Sequence, residues 1–150
     1  MKLVVQRVKE ALVKTPEDNK TVGKIGKGYF VLVGVKEGDT LKDAELLAAK
    51  LSKLRIMSDE NGKMNLSIKD AKGEILVVSQ FTLYADTSGG NRPSFMNAAL
   101  PEDAKKIYEH FVDKLRESLP RTGQCGVETG SFGDYMEISC VLDGPVTILY

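Results

Sequence analysis

In the run Glu74-Ile75-Leu76-Val77-Val78-Ser79-Gln80-Phe81-Thr82-Leu83, two hydroxyls and an amide follow an apolar stretch rich in β-branched residues. Such a run reads as a buried strand that surfaces into a polar end, where Ser79, Gln80 and Thr82 either pair with neighbours or line a site. For Thr82 to attack a carbonyl a base must lie within hydrogen-bond reach, and none stands beside it in the sequence. The chain holds one histidine, His110, and two cysteines, Cys125 and Cys140. Either cysteine with His110 is formally a thiol–imidazole pair, but Cys140 alternates with apolar residues in a strand pattern and Cys125 has no signature around it. The acidic neighbours Asp39/Asp43 and Glu102/Asp103 fall at helix starts, where carboxylates answer the helix dipole. Without a CxxC pair no metal site is expected. No cofactor is expected either, since Gly23, Gly26 and Gly28 do not spell GxGxxG and precede their strand.

A second group is Asp143-Gly144-Pro145-Val146-Thr147. From spacing alone it is an ordinary turn, because few X-Pro bonds are cis. With a cis bond, the Gly144 and Pro145 carbonyls could face one cavity and bind an ammonium group.

Elements to position these groups follow from periodicity. Leu3, Val5 and Arg7 share one face of a first strand and Val4, Gln6 and Val8 the other, which suits an interior strand. Thr15-Pro16-Glu17-Asp18-Asn19-Lys20 is a loop closing a long hairpin between strands near Leu12 and Val22. Tyr29–Val33 is a strand. A capping-box pattern at Thr40–Asp43 opens a helix over about residues 40–54, with Leu41, Ala44, Leu47, Ala48, Leu51 and Leu54 at helical spacing. Ile56-Met57 and Met64, Leu66 and Ile68 form a hairpin around Asn61-Gly62. Asp86–Pro93 is a polar, glycine-rich loop beside the Ser-Gln-Phe-Thr segment, placed to form the lip of a pocket. Pro101 starts a second helix whose stripe is Ala104, Ile107, Phe111, Leu115 and Leu119, with His110 at its surface. Beyond Pro120, residues Gln124–Gly133 end in a Gly-flanked aromatic turn at Phe132. A strand over 135–142, the turn at 143–145 and a closing strand over 146–150 complete the chain. The order does not alternate as βαβ, so the expected fold is α+β, an antiparallel barrel-like sheet with two amphipathic helices packed outside, in one domain over residues 1–150.

Composition narrows the partners. Lys plus Arg equals Asp plus Glu at 21 each, so no global field draws the chain to nucleic acid or membrane. No apolar run is long enough to span a bilayer and Met1–Arg7 does not resemble a signal peptide, so a soluble, cytoplasmic protein with free thiols is expected.

Ser79-Gln80-Phe81-Thr82-Leu83 together with Gly144-Pro145-Val146-Thr147 resembles the paired signature motifs of the D-aminoacyl-tRNA deacylases, formerly D-tyrosyl-tRNA deacylases. Val5-Gln6-Arg7-Val8, Gly62-Lys63-Met64-Asn65, Arg92-Pro93-Ser94-Phe95, and Phe132-Gly133 with Met136 follow the same pattern in order and spacing, over nearly the whole chain. The resemblance implies a homodimer that hydrolyses the ester between a D-amino acid and the 3′-terminal ribose of tRNA, with glycyl esters as a second substrate. It implies that Gly144 and Pro145, joined by a cis bond, enter the partner subunit's pocket and exclude L side chains, with Arg7 holding the motif across the interface. It further implies that Ser79, Gln80, Phe81 and Thr82 line the pocket, that N–H groups near Phe81 and Thr82 form an oxyanion hole, and that Phe132 and Met136 contact the terminal adenosine. The attacking group is either water assisted by the substrate 2′-OH or Thr82. One departure is Leu142, where the family often has Asn two residues before the Gly. The loop at Thr15–Lys20 is also longer than usual. Two rivals stand beside this reading: a non-catalytic dimeric barrel that binds RNA ends or small amines, and a Cys/His thiol hydrolase.

Overall fold

One long strand, β1 (Lys2–Thr15), carries the sheet, because its apolar residues face both sides and both edges are paired. The computed structural model describes residues 1–17, 19–119 and 125–150. Asp18 of the expected first loop, and Pro120 and Gln124 of the segment after the second helix, lie outside the described residues.

On one edge, β1 pairs antiparallel with β2 (Lys20–Ile25) along its second half and with β3 (Gly28–Gly34) along its first. The hairpin closes at Thr15↔Lys20, as the loop residues require. On the other edge, β1 pairs antiparallel with β8 (Glu137–Leu149). β6 (Glu74–Ser79) adds to β3, and β7 (Val127–Thr129) adds to β6, and both pairings are parallel. The sheet is therefore mixed, nearly closed and barrel-like, where the strand order had suggested an antiparallel one. The parallel register follows from the crossovers: α1 lies between β3 and β6, and α2 between β6 and β7. Gly28 permits the β3–β6 pairing to begin, since a Cβ there would stand 1.8 Å from the Glu74 carbonyl oxygen.

Helices α1 (Leu41–Ser52) and α2 (Pro101–Ser118) cover one face. Thr40 and Asp43 form the expected capping box, and Pro101 occupies the first turn of α2, where no N–H is needed. Under the helices, Leu3, Val5, Tyr29, Val31, Val33, Ile75 and Val77 pack against Ala44, Ala48, Leu51, Ile107, Phe111 and Leu115. The opposite face carries a second cluster of Val8, Ala11, Val13, Ile25, Phe30, Leu76 and Val78. Ala11 and Val13 join Val8 rather than Leu3 because the β1–β8 register shifts between Val8 and Glu10. The small hairpin β4 (Met57–Ser58) and β5 (Met64–Leu66) forms around Gly62 at φ +74°, a conformation the Asn-Gly pair accommodates.

The C-terminal region departs from its expected form. The two strands and intervening turn expected over 135–150 are one strand, β8. Gln6 faces Thr147 and Val8 faces Leu142, so Asp143, Gly144, Pro145 and Val146 all bulge opposite the single residue Arg7. Both arms of β8 keep pairing with β1, which is why the chain does not turn back on itself.

Candidate active site

The parallel strands β3, β6 and β7 finish at the same end of the sheet, so the segments that leave β6 and β7 lie side by side there. The Gln80 N–H donates to the Val33 carbonyl at 2.7 Å, which carries the chain just past the end of the ladder. A 3-10 turn over Phe81–Tyr84 follows in place of further strand. The first donors of such a turn have no partner within it. Among the described residues neither the Phe81 nor the Thr82 N–H is hydrogen-bonded. Gln80 Nε2 donates to Thr82 Oγ1 across the turn. Tyr84 turns inward, and its burial, with the Asp39 charge adding to it, pushes the phenol up to about 12. The Phe81 ring stays outside, 57% exposed, and meets Phe95 edge to face at 5.0 Å between centroids.

The second wall comes from the exit of β7. Gly130 N–H donates to the Val77 carbonyl at 3.0 Å, continuing the pairing with β6. The Ser131 N–H then points at Met136 Sδ, 3.3 Å away, and Phe132 lies tilted on Tyr108 at 5.6 Å. Tyr108 is itself fixed by donating to the Val77 carbonyl at 2.9 Å, and burial raises its phenol pKa. Both neighbours of Val77 are thus locked. Ser79, Gln80, Phe81, Thr82, Phe132 and Met136 consequently gather at one end of β6.

Arg7, Gly144 and Pro145 do not join them. Arg7 pairs with Tyr29 near the start of β3, whereas Gln80 bonds Val33 near its finish. Those positions are about 13 Å apart along the strands at ~3.3 Å per residue, with β1 and β3 lying between β8 and β6. Arg7 holds the bulge of its own chain: Nε donates to the Asp143 carbonyl at 3.1 Å and stands 3.1 Å from the Asp143 carboxylate. Its Nη1 donates to the Ile56 carbonyl at 2.8 Å and to Ser58 Oγ at 3.2 Å. Arg7 is 8% exposed and engaged through both Nε and Nη1, a fork for which lysine has no equivalent. The Gly144–Pro145 bond is cis, and both residues are exposed. Gly144 has φ +131° and a Cβ there would lie 2.8 Å from Val146, so only glycine suits the position. Asp143 and the Ile56 carbonyl were missed as partners of Arg7. The acidic residue beside Gly144 is a visible signal for the first, whereas the carbonyl, being main chain, leaves none.

His110 and Cys140 do not form a pair. His110 Nε2 lies 2.9 Å from Glu45 Oε1 at the α1–α2 seam, and Cys140 packs beside the second cluster, where burial raises its thiol pKa. A thiol raised in this way is a poor nucleophile at neutral pH.

The fold is a barrel-like mixed sheet with N–H groups unpaired among the described residues where its parallel strands end, and three comparisons assign it a class. The family model described as D-Tyr-tRNA(Tyr) deacylase matches residues 4–150. A D-aminoacyl-tRNA deacylase of Thermotoga petrophila is 56% identical over 149 residues, covering 99% of this chain and 95% of that protein. One of Thermosipho melanesiensis is 52% identical with the same coverage. A solved structure titled c-Myc DNA Unwinding Element Binding Protein superposes with a TM-score of 0.90 at 40% identity, covering 100% of this chain and 97% of that one. A probable eukaryotic D-amino acid tRNA deacylase, at 16% identity and a TM-score of 0.80, shares the fold. The chain belongs to the D-Tyr-tRNA(Tyr) deacylase family and is a hydrolase of the D-aminoacyl-tRNA deacylase kind. Among the described residues, no helix is long and apolar enough to cross a membrane.

Proposed function

We propose that two copies of this chain associate so that the Gly144–Pro145 bulge of each closes the crevice of the other, and that the shared site hydrolyses the ester of D-aminoacyl-tRNA. The observation that carries this reading is the separation of the two motifs within one chain. Neither alone can both grip an amino group and polarise its ester, and a second copy supplies the missing half. Ile138, Val141, Leu142 and Leu149 support the pairing, since they leave β8 with apolar side chains that are 38–73% exposed. Among the described residues β8 pairs only with β1, and an apolar edge strand of this length is normally covered.

In the shared site, the bulge carbonyls of the partner subunit hold the substrate ammonium, and the ester carbonyl points at the free N–H groups of Phe81 and Thr82. Each such donor stabilises the developing oxyanion by about 2.7–4 kcal/mol. An L side chain would strike the bulge, a D side chain points away, and a glycyl ester has nothing to reject. Water attacks, positioned by the neighbouring 2′-OH of the ribose. Thr82 ranks below water because the residue contacting its hydroxyl, Gln80, donates to it and is no base. Phe132 and Met136 contact the terminal adenosine from the β7 side, in keeping with edge and stacking contacts at unpaired RNA ends. A charged-tRNA substrate places the work in the cytoplasm.

The reading is tested by measuring release of D-tyrosine from D-Tyr-tRNA and of L-tyrosine from L-Tyr-tRNA. Fast hydrolysis of the D ester only is expected. No acceleration over buffer, or equal rates on both, would refute it.

A further inference from the structure

Phe81 and Phe95 form an aromatic pair that folding does not explain. Phe81 is 57% exposed, Phe95 is half-buried, and their rings meet edge to face at 5.0 Å. Neither belongs to the two packed clusters, although an apolar ring gains by entering a core. The sequence holds them in place by independent means. Phe81 opens the 3-10 turn that supplies the free N–H groups, while Phe95 follows the closure of the loop 86–94, whose Asp86 and Ser94 exchange backbone hydrogen bonds of 2.8 Å in both directions. The loop is rigidified at its base, where the Ser88 N–H bonds the Asp86 carboxylate at 2.9 Å and lowers its pKa.

That closed loop carries Arg92, an exposed cation with no ion pair or hydrogen bond among the described residues. Exposed rings next to an uncommitted guanidinium fit an unpaired nucleotide, which offers a flat base and a phosphate. Among the described residues no ring contact joins Phe81 or Phe95 to Phe132, where the proposed reaction puts the terminal adenosine, so the pair is left for a different base. We infer that the Phe81–Phe95 pair stacks the unpaired base preceding the terminal adenosine of the tRNA, with Arg92 reaching a phosphate of that strand. The inference deepens the proposed reaction and rests on it. It also explains how a chain with balanced charge engages a polyanion, through few local contacts rather than a field.

Phe95 touches no reacting atom, so its removal separates this role from catalysis. Phe95→Ala is compared with the unaltered protein on two substrates, D-Tyr-tRNA and the 3′-D-tyrosyl ester of adenosine alone. The expected result is a loss of kcat/KM of about tenfold to a hundredfold on the tRNA, carried by KM, with the adenosine ester unaffected. Phe95→Tyr, which keeps a ring, retains the tRNA rate. A short RNA with 2-aminopurine at the penultimate position should lose fluorescence on binding the unaltered protein and much less on binding Phe95→Ala. Arg92→Ala should make binding of that RNA less steep in salt by about one ion. If Phe95→Ala misfolds, the adenosine ester reports it, and quenching with Arg92→Ala then decides the matter. Equal losses on both substrates in a folded variant, no loss on either, or no quenching with the unaltered protein would overturn the inference. Failure of the unaltered protein to cleave either ester would instead remove the deacylase reading, while quenching still tests the stack.

Discussion

Two residues carry opposite lessons about main chain and side chain. At Phe81 the useful atom is the backbone N–H, which substitution by any residue except proline preserves. Proline is tolerated at the first position of such a turn, so Phe81→Pro removes the donor with little change to the fold. Hydrolysis of D-Tyr-tRNA should fall about a hundredfold to a thousandfold relative to Phe81→Ala, with both circular dichroism spectra native. A proline variant as fast as the alanine variant would take the oxyanion role from this N–H. At Arg7 the useful group is the planar fork. Arg7→Lys keeps the charge but cannot serve Asp143, Ile56 and Ser58 together. Losing one charged hydrogen bond worth about 1.5–3 kcal/mol should lower kcat/KM about tenfold or more through a loosened bulge. An Arg7→Lys enzyme with unaltered rate and D/L discrimination would show that the bulge needs no clasp. His110→Ala and Cys140→Ala, whose side chains serve the helix seam and the second cluster, should retain activity, and loss in both would revive a thiol mechanism.

Among elements, α1 shows what a sequence reveals directly. Thr40 and Asp43 announce its start, and the hydroxyl and N–H of Thr40 both donate to the Asp43 carboxylate, lowering its pKa. A depressed carboxyl contributes stability above its unfolded pKa and loses it as pH falls through the folded value. Thr40→Ala should therefore destabilise the protein by about 1 kcal/mol at neutral pH. The difference from the unaltered protein should shrink below the ordinary carboxylate range, in denaturant titrations run across pH. A difference independent of pH would mean that the carboxylate adds nothing to the cap. Helix α2 and strands β1, β3 and β6 were equally legible, because capping and apolar periodicity act over short sequence distances. Parallel pairing of β6 with β3 and β7 was not, since it depends on helices crossing between strands far apart in the chain. The unity of β8 was hidden for a related reason. Asp143-Gly144-Pro145 has turn composition, and only Arg7, 136 positions earlier, turns it into a bulge. Of the site, the residue types were readable as motifs, whereas which of them meet was decided by strand register.

For the whole molecule the decisive feature is that the two motifs stand apart within one chain. The end of β6 carries the Phe81 and Thr82 N–H donors, and the bulge opposite Arg7 carries the Gly144 and Pro145 carbonyls on another part of the sheet. In the proposed two-fold pair each copy would supply what the other lacks, since an isologous interface repeats every contact twice. The balanced charge of 21 against 21 imposes no repulsion on that pairing. The apolar residues along β8 give it a surface. The most direct test is a purified mixed dimer in which one subunit carries Phe81→Pro and the other Gly144→Ala, a substitution the +131° φ does not accept. Each homodimer should be nearly inactive on D-Tyr-tRNA, while the mixed dimer, holding one intact crevice facing one intact bulge, should recover about half the unaltered rate. A mixed dimer as inactive as its parents would contradict a site shared between subunits.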